Sequence, residues 1–210
     1  MVYLKNCSID MIYPPDAVIK KVVYFLCAEH VEITALDGVL TVMIYPYEWT
    51  NMMTPWESGE ADAGITGGGK EFISVFIGEI VPYVEGRADV RDAVCAIGGY
   101  SLGGLEALFM ATILDAFDAV LSVSASLWYE GAVEYFKENT LDVEDVYISL
   151  GDRENRTGNT LRRRVSENTG ILCEHFGRDK RMVFVSEKGG HFTDISGRID
   201  RAISFFSDLV

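Results

Sequence analysis

Cysteine is scarce, with four in 210 residues, and Cys7, Cys27, Cys95 and Cys173 lie far apart with no CxxC pair. That spacing argues against a zinc or dithiol centre and against a disulfide framework, so free, mostly buried thiols are expected. Basic residues are also few. Eighteen Lys and Arg face 32 Asp and Glu, giving a net charge of -14 and a pI near 4.6. Nucleic acid is excluded as a partner on this ground, because phosphate binding needs a basic face. Arg162-Arg163-Arg164 is the nearest thing to a basic run. Consecutive helical residues point about 100° apart, so it reads as a solvated helix face. No segment offers about 18 uncharged apolar residues, and the start has neither a basic n-region nor a long apolar h-region. The expectation is a cytoplasmic protein without a membrane partner.

What is present is an ordinary globular composition, 49% hydrophobic and 24% charged, over a length that suits one domain spanning residues 1–210. Short apolar runs rich in β-branched and aromatic residues alternate with longer amphipathic stretches, the pattern of an α/β chain. Strands are predicted at Val22 to Cys27, Leu40 to Tyr45, Ala93 to Ile97, Ala119 to Val123, Val146 to Leu150 and Met182 to Ser186. Their near-continuous apolar character suits a mostly parallel sheet covered by helices on both faces. Helices are predicted at about Lys70 to Val84, Leu102 to Leu114, Gly131 to Glu138, Asn159 to Phe176 and Asp194 to Leu209. The last carries Ile195, Ile199, Ala202, Ile203 and Phe206 at spacings of three and four, a stripe that packs on the sheet. Pro46 to Gly69 has no clear period and reads as one long functional loop. The first 20 residues give the weakest pattern; an edge strand is one reading of them.

One turn carries chemistry. Ala93 to Ile97 reads as a strand and Leu102 onward as a helix, and between them stands Gly98-Gly99-Tyr100-Ser101-Leu102-Gly103-Gly104, a G-x-S-x-G motif. A serine at a sharp strand-to-helix corner projects its hydroxyl off the sheet, and glycines two residues either side remove side chains that would clash. Ser101 is therefore the candidate nucleophile, and the Leu102 N–H, at a helix N-terminus, is a candidate oxyanion donor. A serine hydroxyl needs a base. Of three histidines, His191 in Gly189-Gly190-His191-Phe192 follows the last strand and precedes the last helix, whereas His175 reads as a helix residue and His30 as a surface one. α/β-Hydrolases order their triads serine, acid, histidine, and the turn after Val146 to Leu150 holds two carboxylates, Asp152 and Glu154.

These motifs, with S-x-S-L-W at Ser124 to Trp128 and S-L-G-D-R-E at Ser149 to Glu154, resemble the putative-esterase branch of the α/β-hydrolases, which includes enterochelin esterase, esterase D and feruloyl esterase domains. The resemblance runs from about Val22 onward. It implies an α/β-hydrolase fold with a minimal lid or none, and an acid in a G-x-x-D/E turn, which favours Glu154 over Asp152. It also implies a second oxyanion donor in the loop after the Leu40 to Tyr45 strand. Pro46 has no N–H, so that donor is expected at Tyr47 or shortly after. Tyr100, Trp49 and Trp128 are the candidate substrate-binding residues. Trp56, Met52, Met53 and Tyr129 are further candidate pocket walls.

The expected activity is hydrolysis of a small carboxylic ester through an acyl-enzyme on Ser101, with His191 as general base, Glu154 as orienting acid, and no metal or organic cofactor. Acyl transfer with the same triad, and a non-catalytic binding protein on the same fold, are the alternatives.

Overall fold

The computed structural model describes residues 1–59 and 65–209. Strands β1 (Val2–Tyr3), β2 (Cys7–Ile12), β3 (Lys21–Leu26), β4 (Val39–Pro46), β5 (Val94–Tyr100), β6 (Ala119–Val123), β7 (Asp145–Gly151) and β8 (Arg181–Glu187) form one sheet. Their spatial order is β1-β2-β4-β3-β5-β6-β7-β8. The β1–β2 and β2–β4 pairings are antiparallel and the remaining pairings are parallel.

Alternation along each strand divides two cores. On β3, Val22, Tyr24 and Leu26 face one side, while Val23 and Phe25 face the other. The first side packs beneath α4 (Leu102–Met110), α5 (Ala132–Glu138) and α6 (Val165–Phe176), and the second beneath α7 (Ile195–Asp208). Ile199, Ala202, Ile203 and Phe206 of α7 are all buried there, as the spacing of the stripe requires. Fully burying each such large side chain contributes about 1.5–3 kcal/mol.

All six predicted strands are present within two or three residues at either end. Other elements depart from expectation for local reasons. The N-terminal segment contributes β1 and β2, and β2 seals the edge of β4. The predicted Lys70 to Val84 helix is interrupted: α2 (Gly69–Val75) passes through a π-helical turn at Phe76–Ile80 into α3 (Val81–Glu85). Pro82 lies at the start of α3. It cannot donate to the preceding turn, and a π-bulge is a usual way for a helix to absorb that loss. The Pro46 to Gly69 loop contains a short helix, α1 (Trp49–Met52); its residues 60–64, Gly64 among them, lie outside the described residues.

Candidate active site

β3, β5, β6, β7 and β8 end side by side, and open α/β sheets gather their sites at that edge. The register puts Leu26 beside Gly99, Tyr100 beside Val123 and Gly151 beside Glu187. Immediately beyond β5 stands Ser101, at φ 61° and ψ -120°. A non-glycine residue there is strained by about 1–3 kcal/mol, and the surroundings must hold it. They do so through backbone bonds: the Ser101 N–H donates to Val123 O at 3.1 Å, and the Ser126 N–H donates to Ser101 O at 3.0 Å. The glycines of the motif have a steric cause. A Cβ on Gly99 would lie 2.1 Å from Gly103 O, and one on Gly103 would lie 2.7 Å from Leu26 O.

His191 Nε2 lies 2.9 Å from Ser101 Oγ, and His191 Nδ1 lies 2.7 Å from Glu154 Oε2. The other oxygen, Glu154 Oε1, accepts from the Gly151 N–H at 2.7 Å and from Arg198 Nη1 at 2.9 Å. Burial pushes the Glu154 carboxyl up, but the hydrogen bond and charge of His191 and the Gly151 N–H outweigh it, leaving it below 4.5. Asp152 is placed differently. It accepts the Gly189 N–H at 2.8 Å and so ties the two loops together without touching His191 Nδ1. His30 is exposed beside Asp10, and His175 lies on α6 against Phe176; neither reaches Ser101.

Arg198 escaped the reading of the sequence. It is 0% exposed, and beyond Glu154 it donates to Ser124 Oγ at 2.8 Å, Lys188 O at 3.1 Å and Gly190 O at 3.0 Å. One guanidinium thus joins the carboxylate turn to the histidine loop. Its signal was an arginine three residues after Ile195 and four before Ala202, inside the apolar stripe of α7.

Ser101 and His191 open into a cavity of about 560 Å³, lined also by Tyr100, Leu102, Trp49 and Trp128. The Tyr100 hydroxyl donates to His191 O, so only its ring is free for a ligand. Trp56, Met53 and Tyr129 belong to the core instead. Trp56 packs on Phe109, Tyr129 and Tyr135, and Met53 and Tyr129 are buried.

Tyr47 is a correction. Its N–H donates to Asn6 O at 3.1 Å, continuing the β2–β4 ladder, and its side chain is 52% exposed, away from the cavity. The cause is topological. β4 is separated from β5 by β3, so the loop beside Ser101 is the one after β3. Cys27, Ala28 and Glu29 of that loop line the cavity. The Cys27 N–H bonds Ile44 O at 3.0 Å and the Ala28 N–H turns back to the Cys27 thiol, whereas the Leu102 N–H has no acceptor among the described residues.

A family model described as "Putative esterase" matches residues 18–174. The chain belongs to that family. This esterase, a hydrolase on the α/β-hydrolase fold, has solved structures similar to it at low identity. Siderophore hydrolase EstA from Aspergillus nidulans is 19% identical with a TM-score of 0.70, covering 96% of this chain and 90% of its own. The BES protein from Bacillus cereus is 19% identical with a TM-score of 0.71, over 100% and 97%. The enterobactin esterase FES from Shigella flexneri is 14% identical with a TM-score of 0.63, over 100% and 61%. No curated protein matches the esterase by sequence. The family match ends before His191, so that residue stands on geometry. Among the described residues, no group of three or more His, Cys, Asp or Glu is placed to hold a metal ion, and no helix is long and apolar enough to cross a membrane.

Proposed function

We propose that this esterase hydrolyses a carboxylic ester through an acyl-enzyme on Ser101, with His191 as general base and Glu154 as the carboxylate that orients it. The observation that carries the reading is the unbroken line from Glu154 Oε2 through His191 to Ser101 Oγ, with contacts of 2.7 and 2.9 Å, opening into the cavity. An ionised carboxylate only accepts, so Nδ1 holds the proton and the Nε2 lone pair faces the serine hydroxyl. Ser101 Oγ attacks the ester carbon as its proton passes to Nε2. The tetrahedral intermediate then expels the alcohol, which takes that proton from Nε2. Water, deprotonated by Nε2, adds to the acyl-enzyme in the same way and releases the carboxylic acid.

The negative charge that develops on the carbonyl oxygen meets the N–H groups of Leu102 and Ala28, which line the cavity in the turns after β5 and β3; the weak contact of Ala28 N–H with the Cys27 thiol gives way to the stronger oxyanion acceptor. Donors fixed before the reaction stabilise that charge without reorganising. Arg198 acts through Glu154 and Gly190 O as a positioning residue.

The names of the structural neighbours span a siderophore hydrolase, an acyl-protein thioesterase and an S-formylglutathione hydrolase, so none supplies a substrate here. Ser101→Ala tests the reading: turnover of a p-nitrophenyl ester should fall by orders of magnitude with the fold intact. Undiminished turnover would place the nucleophile elsewhere.

A further inference from the structure

The cavity that holds Ser101 and His191 is cationic, although the chain is strongly acidic. Arg153, Arg156 and Arg162 all line it. Among the lining carboxylates, Glu154 is occupied by His191 and Arg198, which leaves Glu29 as the one remaining acid among the described residues. Exposed charges are largely screened beyond about 8 Å at physiological salt. A ligand in the cavity therefore meets this local excess of guanidinium, and little of the net -14.

The arginines are also unmatched. Neither Arg156 nor Arg162 has a carboxylate partner among the described residues, in a chain with 32 Asp and Glu to supply one. Arg153 has, among the described residues, only Asp152, at 3.6 Å, with both side chains more than half exposed. Placement of Arg162 runs against local stability. Arg162–Arg164 form a 3-10 turn that leads directly into α6, and cations at a helix N-terminus oppose its dipole. The run, which the sequence suggested was a solvated helix face, divides its residues between different surroundings. Arg163 Nε is tied to Thr157 O at 2.6 Å, whereas the Arg162 guanidinium stands 5.3 Å from the centre of the Trp128 ring, at the cavity wall. A local rule broken at a site is where function is expected to compensate.

We propose that this esterase recognises esters that carry a second, anionic oxygen group, such as a carboxylate, on the acyl or the alcohol part, and that Arg156 and Arg162 bind that group. The assignment rests on the Ser101 reading above. A guanidinium presents a planar fork of donors that matches two carboxylate oxygens and is more weakly hydrated than an ammonium, so it suits an anion at the rim of a partly apolar pocket. Trp49, Trp128 and Phe192 would flank the apolar body of the same molecule.

Two matched pairs of esters test this. On the acyl side, p-nitrophenyl hydrogen adipate is compared with p-nitrophenyl methyl adipate. On the alcohol side, 4-acetoxybenzoate is compared with 4-acetoxybenzamide. Within at least one pair, kcat/KM for the anion should exceed that of its neutral partner by roughly tenfold, the scale of one charge-assisted contact, chiefly through KM. The excess should shrink at 0.5 M salt, about where screening closes in. In the double variant Arg156→Gln/Arg162→Gln, the anionic-to-neutral ratio should fall by roughly tenfold. Because both esters are read on the same protein sample, the folded fraction cancels. A ratio at or below one in both pairs, or one that the double variant leaves unchanged, overturns the proposal while Ser101-dependent turnover of the neutral esters keeps the mechanism. No Ser101-dependent turnover of any of the four removes both.

Discussion

Replacing Glu154 by glutamine probes the site most sharply, because the structure dictates which way the amide must face. Glu154 Oε1 accepts from both the Gly151 N–H and Arg198 Nη1, at 2.7 and 2.9 Å. Only the amide oxygen can take that place, so the NH2 group is turned toward His191 Nδ1. That nitrogen must then accept, the proton moves to Nε2, and Nε2 can no longer take the proton of Ser101. The same error of tautomer lowers kcat by about 10⁴ in a serine protease, and a loss of that order is expected here. The fold pays as well, since Arg198 is fully buried and loses its counter-charge. The cost should be below the about 3–5 kcal/mol of a buried pair broken outright, because the amide oxygen still accepts. Steady-state kinetics on a p-nitrophenyl ester give the first number and thermal unfolding the second. Asp152→Asn, which spares His191, should lose far less activity. A Glu154→Gln enzyme within tenfold of wild type, or one matched by Asp152→Asn, would refute the reasoning.

Arg198→Lys should fold but lose at least tenfold in kcat, because an ammonium cannot hold Glu154, Ser124, Lys188 O and Gly190 O in one plane; wild-type kcat would show that the guanidinium does not position the site. Glu106, in the middle of α4, is fully buried with neither carboxyl oxygen partnered among the described residues, and burial raises its carboxyl well above 4.5. The folded state therefore holds that proton longer than the unfolded one does, and stability is lost as pH rises from 4.5 toward the folded value. Glu106→Met should stabilise by about 1–3 kcal/mol at pH 8, with a smaller gain at pH 4, read by urea unfolding; a gain independent of pH would contradict the sign. Glu154 has the opposite sign, so its contribution is present above 4.5 and fades as the pH falls below it. The unfolding free energy of wild type minus Glu154→Gln should therefore narrow on acidification, and a gap constant from pH 7 to pH 3 would contradict this.

The geometry of the candidate site was legible where it depended on local chain order. Gly99, Ser101 and Gly103 announce a corner because each glycine answers a contact inside the same turn. His191 and Glu154 could be placed because each follows a strand whose apolar run is visible. Tyr47 was misplaced because the exchange of β3 and β4 in the sheet is a pairing between distant segments, and no residue in either strand encodes its neighbour. β1 and β2 were obscure for a related reason: two exposed residues and a half-buried strand give little alternation to read. Arg198 and Glu106 did leave a signal, a charged residue on an apolar helix face. Such a residue is either a fault or a device, and only its partners decide. Arg198 has several; Glu106 has none among the described residues.

The central claim is that Ser101 is a nucleophile primed by His191, and covalent labelling tests it without knowledge of the substrate. The native enzyme should react with a fluorophosphonate, and peptide mass spectrometry should locate the adduct on Ser101. Labelling should vanish in Ser101→Ala and be strongly slowed in His191→Asn. An adduct on any other residue, or labelling that persists in Ser101→Ala, would contradict the account.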